Sequence, residues 1–346
     1  MRKMATLGAR VLRSNFGRGA RPFKLTLIVT YVCDTRCRMC NIWQQPKAGV
    51  MTLPEVARFF ERNPRFSWVN LSGGEIWTRP DAAELVETVI RASPDLYLLD
   101  FPTTGQATDA IVAGVERALS TALPKLLVTV SLDGPREVHE DIRGRPGAWD
   151  RAVETFRALR PLRSSRFDVF LGVTLSAFNR GALLPTMAAV RSVLPDVDAR
   201  DFHVNVAQVS SHYYANEGMP PTEGECLADV ARFLADKGHS FHPVGWLERR
   251  YQQLSGEFIA SGRTPLPCRA LASSVFVDAR WNVYPCSMWD RPLGNLRALD
   301  FDLAGLWRGE DTLAARAEIV AGRCPHCWTP CEAYQTILGN LLRAGS

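Results

Sequence analysis

Residues 25–40 read Leu-Thr-Leu-Ile-Val-Thr-Tyr-Val-Cys-Asp-Thr-Arg-Cys-Arg-Met-Cys. The apolar, β-branched run from Leu25 to Val32 predicts a buried strand. Three thiols follow it directly: Cys33, Cys37 and Cys40, in a C-x3-C-x2-C spacing on one short loop at the strand's C-terminal end. Three thiolates so placed can hold three irons of a cubane and leave the fourth without a protein ligand, whereas an electron carrier closes all four positions with cysteine. An open iron invites a substrate or cosubstrate. Zinc, with a distant His or Cys as fourth ligand, is the other use of the same thiols.

Outward from this stretch, short apolar runs alternate with amphipathic ones. Strands are expected at Leu25 to Val32, Ser67 to Leu71, Leu96 to Phe101, Lys125 to Ser131, Phe167 to Leu175 and Asp201 to Gln208. Helices are expected between them, among others at Leu53 to Arg62, Asp81 to Ala92 and Trp149 to Leu159. Repeated β/α units build a parallel sheet, so the fold class is α/β: a partial (β/α)6 TIM-like barrel, with function at the C-terminal ends of its strands. After Gly238 the pattern changes. Phe241 to Thr264 reads as helix, and Pro265 and Pro267 then punctuate a cysteine-bearing, hairpin-like segment that reaches about Leu342. Three parts are expected: a basic extension (1–24), the barrel core (25–240), and a linker helix with a small cysteine-rich module (241–346).

Composition is that of an ordinary globular chain, with 46% hydrophobic and 22% charged residues among 346. No apolar run reaches the roughly 20 residues of a membrane span, and no secretory signal core is evident, so a cytoplasmic location is expected. A reducing compartment disfavours structural disulfides, and eight of the nine cysteines fall into two clusters, which favours metal ligation. Net charge is +5, yet Arg2, Lys3, Arg10, Arg13, Arg18, Arg21 and Lys24 stand in a segment without an acid, leaving the rest of the chain slightly acidic. The body therefore offers no electrostatic case for nucleic acid. The basic leader suits an interfacial helix on anionic lipid or on an acidic protein; a solvated tail or barrel-capping helix is the plainer reading.

Three further motifs occur in chain order: Leu71-Ser-Gly-Gly-Glu75, Val130-Ser-Leu-Asp-Gly-Pro135 and His139-Glu-Asp-Ile-Arg-Gly144. Together with the three-cysteine loop they resemble the radical S-adenosylmethionine (SAM) superfamily. The resemblance implies a [4Fe-4S] cluster on Cys33, Cys37 and Cys40 whose open iron is chelated by SAM. It implies SAM contacts at Gly73, Gly74 and Glu75, where glycines permit close backbone approach and a carboxylate accepts from the SAM ammonium. Ser131 would face the ribose or carboxylate of SAM, and Met39, inside the cysteine loop, is a further candidate contact. Arg143 either neutralises a carboxylate or forms a surface ion pair with Asp141 or Glu140. Thr104, in Pro102-Thr-Thr-Gly105, is a further candidate SAM contact; it stands where Asn is common, and Ile76 stands where Pro is frequent, two departures from the pattern.

Cys268, Cys286, Cys324, Cys327 and Cys331 form a second set, the last three as C-x2-C-x3-C. Cys268 and Cys286 flank a hairpin-like Val275 to Val283 that brings two thiols together. This region, with Gly294-Asn-Leu and Leu306-Trp307, resembles the SPASM and twitch modules, which carry auxiliary [4Fe-4S] clusters. Five cysteines imply one auxiliary cluster with one thiol left over, and Trp281 replaces a frequent hairpin glycine. A zinc ribbon competes for the same ligands. Cys226, on a helical segment, reads as a buried structural residue.

The resemblance implies reductive cleavage of SAM to a 5'-deoxyadenosyl radical and hydrogen abstraction from a small molecule, giving oxidation or carbon-bond formation. An electron donor such as flavodoxin or ferredoxin is implied, and the second cluster would accept or relay an electron. His203, sharing a strand face with Asn205, is a candidate proton acceptor or else a packed histidine. Tyr213, with Tyr214 and His212 on the following loop, is a candidate substrate contact or cover. The alternatives are a maturase of a ribosomal peptide, a lipid-linked or phosphorylated substrate, and a non-catalytic iron-sulfur or zinc protein. Many peptide maturases carry a leader-binding domain ahead of the barrel, and only 24 residues precede the first expected strand here.

Overall fold

The computed structural model describes residues 1–16, 21–222, 225–239 and 242–342. Arg18 of the basic leader, Phe241 and the expected boundary at 240 lie outside them. Helix α1 (Arg2–Phe16) precedes β1 (Lys24–Ile28). There follow α2 (Leu53–Arg62), β2 (Trp68–Ser72), α3 (Ala82–Ala92), β3 (Leu98–Thr103), α4 (Thr108–Leu119) and β4 (Lys125–Ser131). Next come α5 (Arg136–Arg143), α6 (Ala148–Leu159), β5 (Phe167–Leu175), α7 (Leu183–Val193), β6 (Phe202–Val206), α8 (Glu225–Lys237) and α9 (Pro243–Ser261). The remainder holds β7 (Ser274–Val277), β8 (Asn282–Tyr284), β9 (Gly294–Asn295), α10 (Leu303–Arg308), α11 (Glu310–Val320) and α12 (Pro330–Leu338).

One sheet carries all nine strands in the order β6-β5-β4-β3-β2-β1-β7-β8-β9. Strands β1 to β6 pair in parallel, as repeated β/α units require. β4 and β5 have the expected bounds. β1 stops at Ile28, short of the expected Val32, because the carbonyls beyond it serve a turn: Gly74 N donates to Thr30 O at 2.9 Å and Glu75 N to Val32 O at 2.8 Å. β3 runs on to Thr103, since Pro102 and Thr103 register with Thr129 and Val130 of β4. No helix of the described residues is long and apolar enough to cross a membrane.

The cysteine-rich C-terminal stretch joins this same sheet. β7 pairs in parallel with β1, Lys24 opposite Ser274, and then turns into antiparallel β8. Asp278 Oδ1 shapes that turn by accepting from the amides of Arg280 and Asn282, each at 2.8 Å. Trp281 lies in the turn at φ 69°, the left-handed region that favours glycine. Its buried ring packs 5.2 Å from Phe59 and 5.0 Å from Phe301, burial that offsets the backbone strain.

Alternation along β1 sends Leu25 and Leu27 into the helix-facing core and Lys24 and Thr26 to the other face. Lys24 is buried there. Its ammonium donates to the carbonyls of Pro330 (3.2 Å) and Cys331 (2.7 Å) and to Gln335 Oε1 (2.9 Å), and lies 4.4 Å from the Trp68 ring centroid. Desolvation lowers its pKa, opposed mainly by the negative groups at Cys331, Asp100 and Glu332. Lys24→Ala would strand these acceptors and the carboxylates beside them, so we expect a loss of about 3–5 kcal/mol. A shift in the urea midpoint of that variant checks it.

Candidate functional site

The loop after β1 is held on two sides. On one, the Gly73-Gly74 turn lies so close that a Cβ on Gly73 would stand 2.4 Å from Thr30 O, and one on Gly74 only 2.1 Å from Val32 O. The close approach these glycines permit is thus to the cysteine loop's own backbone. On the other side, Arg36 N donates to Arg143 O (2.8 Å) and Arg38 N to Ile142 O (2.9 Å), satisfying carbonyls at the end of α5. Between the clamps, the Thr35 hydroxyl lies 3.2 Å from Cys33 Sγ and 3.4 Å from Cys37 Sγ. Cys40 feels the charges of Cys37 and Cys33, and burial pushes its thiol up to about 12.

Arg143 is buried and pairs with Asp133 at 2.5 Å, with its other nitrogen 3.7 Å from Cys37 Sγ. It forms no surface pair with Asp141 or Glu140; Asp141 is taken by Arg38. Asp133 is fully buried, and its other oxygen accepts from Thr174 N at 2.9 Å. Beside it His139 Nδ1 accepts from Asp133 N at 3.0 Å, with burial and then Arg143 holding the ring neutral, down to about 2. Glu75 is likewise internal. Its carboxylate accepts from the amides of Thr104 (2.5 Å) and Trp77 (3.1 Å) and from the Thr103 hydroxyl (3.1 Å). Burial nevertheless pushes it up to about 7. The Thr104 hydroxyl donates to Asp34 at 3.0 Å, so residue 104 tethers the cysteine loop.

A loop after β6 ties this loop to the C-terminal region. Asn41 N donates to Tyr214 O (2.7 Å), and Asn216 Nδ2 donates to Met39 O (2.9 Å). Ser210 Oγ donates to Ser287 O at 2.7 Å. Tyr213 is buried, 3.0 Å from Ser72 Oγ and against Phe276. Sequence reasoning singled out the aromatic residues here but not Asn41, Ser210 and Asn216; the Asn- and Ser-bearing run from Asn205 to Asn216 was the available signal. Ser131 is half-buried at the end of β4. His203 stacks on Phe170 with centroids 3.8 Å apart, and desolvation takes its pKa down to about 4.

In the second set, Cys268 feels Cys324, Cys286 feels Cys268, and Cys327 feels both Cys286 and Cys268. Burial raises Cys268 to about 12 and lifts Cys286 and Cys327 too. Burial raises Cys331 to about 11, opposed by the charge of Lys24 and by a hydrogen bond to Thr26. Cys226 is buried in the core. Among the described residues no three His, Cys, Asp or Glu side chains lie as a single metal ion requires.

Residues 27–179 match the family model described as the Radical SAM superfamily. Over these residues the chain is similar to that superfamily. Among curated proteins, it is 25% identical over 167 residues to the antilisterial bacteriocin subtilosin biosynthesis protein AlbA of Bacillus subtilis (strain 168), covering 46% of this chain and 34% of AlbA. It is 23% identical over 349 residues to an AdoMet-dependent heme synthase of Oleidesulfovibrio alaskensis, covering 92% of this chain and 81% of the relative. In fold it resembles Streptococcus suis SuiB bound to S-adenosylmethionine, at TM-score 0.61 and 12% identity over 91% of this chain and 72% of SuiB.

That similarity implies a [4Fe-4S] cluster and SAM. The donors after β1 fit the cluster: three thiols on one clamped loop, two sharing a hydroxyl, with a buried guanidinium beside one sulfur to offset thiolate charge. Gly74→Ala would drive a methyl into Val32 O and displace this loop. We expect that variant, if folded by circular dichroism, to bind less than about a tenth of the wild-type iron at the first cluster, because the close contact leaves the loop no room to relax. Iron and acid-labile sulfide assays check it.

Proposed function

We propose that Cys33, Cys37 and Cys40 hold the SAM-binding cluster of this radical SAM enzyme. Cys268, Cys286, Cys324 and Cys327 hold one auxiliary [4Fe-4S] cluster, and the substrate is a small molecule that is oxidised or gains a carbon bond. The observation that carries this reading is the pairing of two separate thiol groupings, bridged by the loop at Ser210 to Asn216. When bound, the first cluster supplies the electron that cleaves SAM and so makes a hydrogen-abstracting species available.

The chain's own residues do the rest. Arg143, anchored by Asp133, offsets charge at Cys37, and Ser131 at the end of β4 orients the carboxylate or ribose of SAM. Gly73, Gly74, Glu75 and Thr104 fix the cysteine loop, and Met39 is held through its carbonyl by Asn216. The lumen face of β4 to β6 presents half-buried Thr129, Thr174 and Asn205, a mixed polar wall suited to a small substrate. His203, neutral at pH 7, is available as a proton acceptor. Tyr213, its pKa raised by burial, keeps its hydroxyl proton. A flavodoxin or ferredoxin in a reducing compartment supplies the electron.

The heme synthase match, which spans most of both chains, supports a small-molecule substrate. AlbA, by its name a bacteriocin biosynthesis protein, and the fold shared with SuiB, also described bound to precursor peptide SuiA, support a ribosomal-peptide maturase as the second reading. Deuterium transfer into 5'-deoxyadenosine from size-separated, deuterated host extracts distinguishes them: label from the small-molecule fraction supports the first, label from the peptide fraction the second. With dithionite and SAM, the anoxically reconstituted protein is expected to form 5'-deoxyadenosine. Cys37→Ala should abolish it; intact cleavage there refutes the ligand assignment. Cys327→Ala should keep some SAM cleavage and lose substrate turnover, whereas Cys331→Ala should keep its full iron content. Zinc in place of iron would contradict the auxiliary cluster.

A further inference from the structure

Helix α1 has two faces of different character. On the inner face Arg10 donates to Arg65 O (2.7 Å) and Ser67 Oγ (2.5 Å) and pairs with Asp95 at 2.6 Å. Asn15 Nδ2 donates to Leu338 O at 2.8 Å, and Asn15 Oδ1 accepts from Leu342 N at 3.1 Å. These bonds lay the helix across the N-terminal ends of β2 and β3 and against α12, as a barrel-capping helix.

The outer face is unlike an ordinary solvated one. At 3.6 residues per turn, Ala5, Ala9, Leu12 and Phe16 fall on one continuous side, with Met4 at its edge. All five are exposed, with Met4 at 56%, Leu12 at 53% and Phe16 at 76%. Arg2 and Arg13, also exposed, border that side. Leu341 and Leu342, 43% and 57% exposed, extend the apolar surface next to Asn15. The sequence has no Asp or Glu before Asp34. Large apolar side chains clustered in water signal an interaction surface. An apolar helix face bordered by arginines, on a helix with no acid of its own and with Asp95 taken by Arg10 on the inner face, matches the boundary of acyl chains and anionic headgroups in both polarity and charge.

We propose that the outer face of α1, with the turn at Leu341 and Leu342, docks this protein onto an anionic bilayer surface. The helix lies in the interface with its apolar side among the acyl chains and its arginines at the phosphates. The barrel floor then faces the lipid, and the cysteine loop, at the opposite end of the strands, faces water. Docking therefore sets where the enzyme works without delivering a lipid into the lumen, and it holds whichever substrate the barrel takes.

Cosedimentation of the anoxically purified full chain with vesicles tests this. With phosphatidylcholine plus phosphatidylglycerol the protein is expected to pellet, much less so with phosphatidylcholine alone, and the difference should shrink as salt rises. The double variant L12E/F16E should lose about tenfold or more in vesicle partitioning. R2E/R13E should lose the preference for phosphatidylglycerol. Neither variant touches the Arg10 or Asn15 contacts, so thermal midpoint and SAM cleavage should match wild type in both. Equal partitioning of L12E/F16E and wild type, or no pelleting with anionic vesicles, overturns the proposal; the latter is also what a purely acidic-protein partner predicts.

Discussion

The backbone of Val32 and the backbone of Gly74 lie closer than any side chain would allow, and the rest of the site is arranged around that contact. With no Cβ in the way, the turn after β2 donates two amide bonds to the segment after β1 and ends its strand at Ile28. The freed chain carries three thiols across the top of the barrel to the α5 carbonyls, which hold its far side. A loop so clamped presents its sulfurs in one arrangement and does not have to order itself when a cofactor arrives, which is how preorganisation lowers the cost of binding.

β1 also sets the second half of the molecule. Its other edge pairs with β7, so the strand that launches one thiol set is hydrogen-bonded to a hairpin flanked by two thiols of the other, Cys268 and Cys286. Lys24 at its start reaches α12, and the loop after β6 closes the top by bonding to Met39 and to Ser287. The two cysteine regions are therefore parts of one continuous sheet and its covering loops.

Period and spacing made the barrel legible. β4 and β5 alternate over most of their seven and nine residues, and their bounds were read from that period and from their β-branched content. The end of β1 was not legible, because a turn 40 residues downstream in sequence takes its carbonyls. Nor was the role of Trp281. A tryptophan at positive φ breaks the local rule, and only the Phe59 and Phe301 rings, far apart in sequence, account for it. Of the site, the cysteines and the Gly-Gly-Glu and His-Glu-Asp-Ile-Arg-Gly motifs stood out. Their partners did not: Asp133, inside Val130 to Pro135, carried no role of its own, and the surroundings of Cys331 depended on Lys24 and Thr26 facing the lumen. Long-range pairing of that kind leaves no periodic trace.

The central claim is that the clamped trio of thiols leaves one corner of its cluster without a protein ligand. Electron paramagnetic resonance of the reduced, anoxically purified Cys268→Ala/Cys327→Ala protein, which isolates the first cluster, tests it most directly when recorded before and after SAM is added. A change of g-values on addition, with hyperfine coupling to isotopically labelled SAM amino nitrogen, is the predicted result. A spectrum of an intact [4Fe-4S] cluster that is indifferent to SAM would contradict the account.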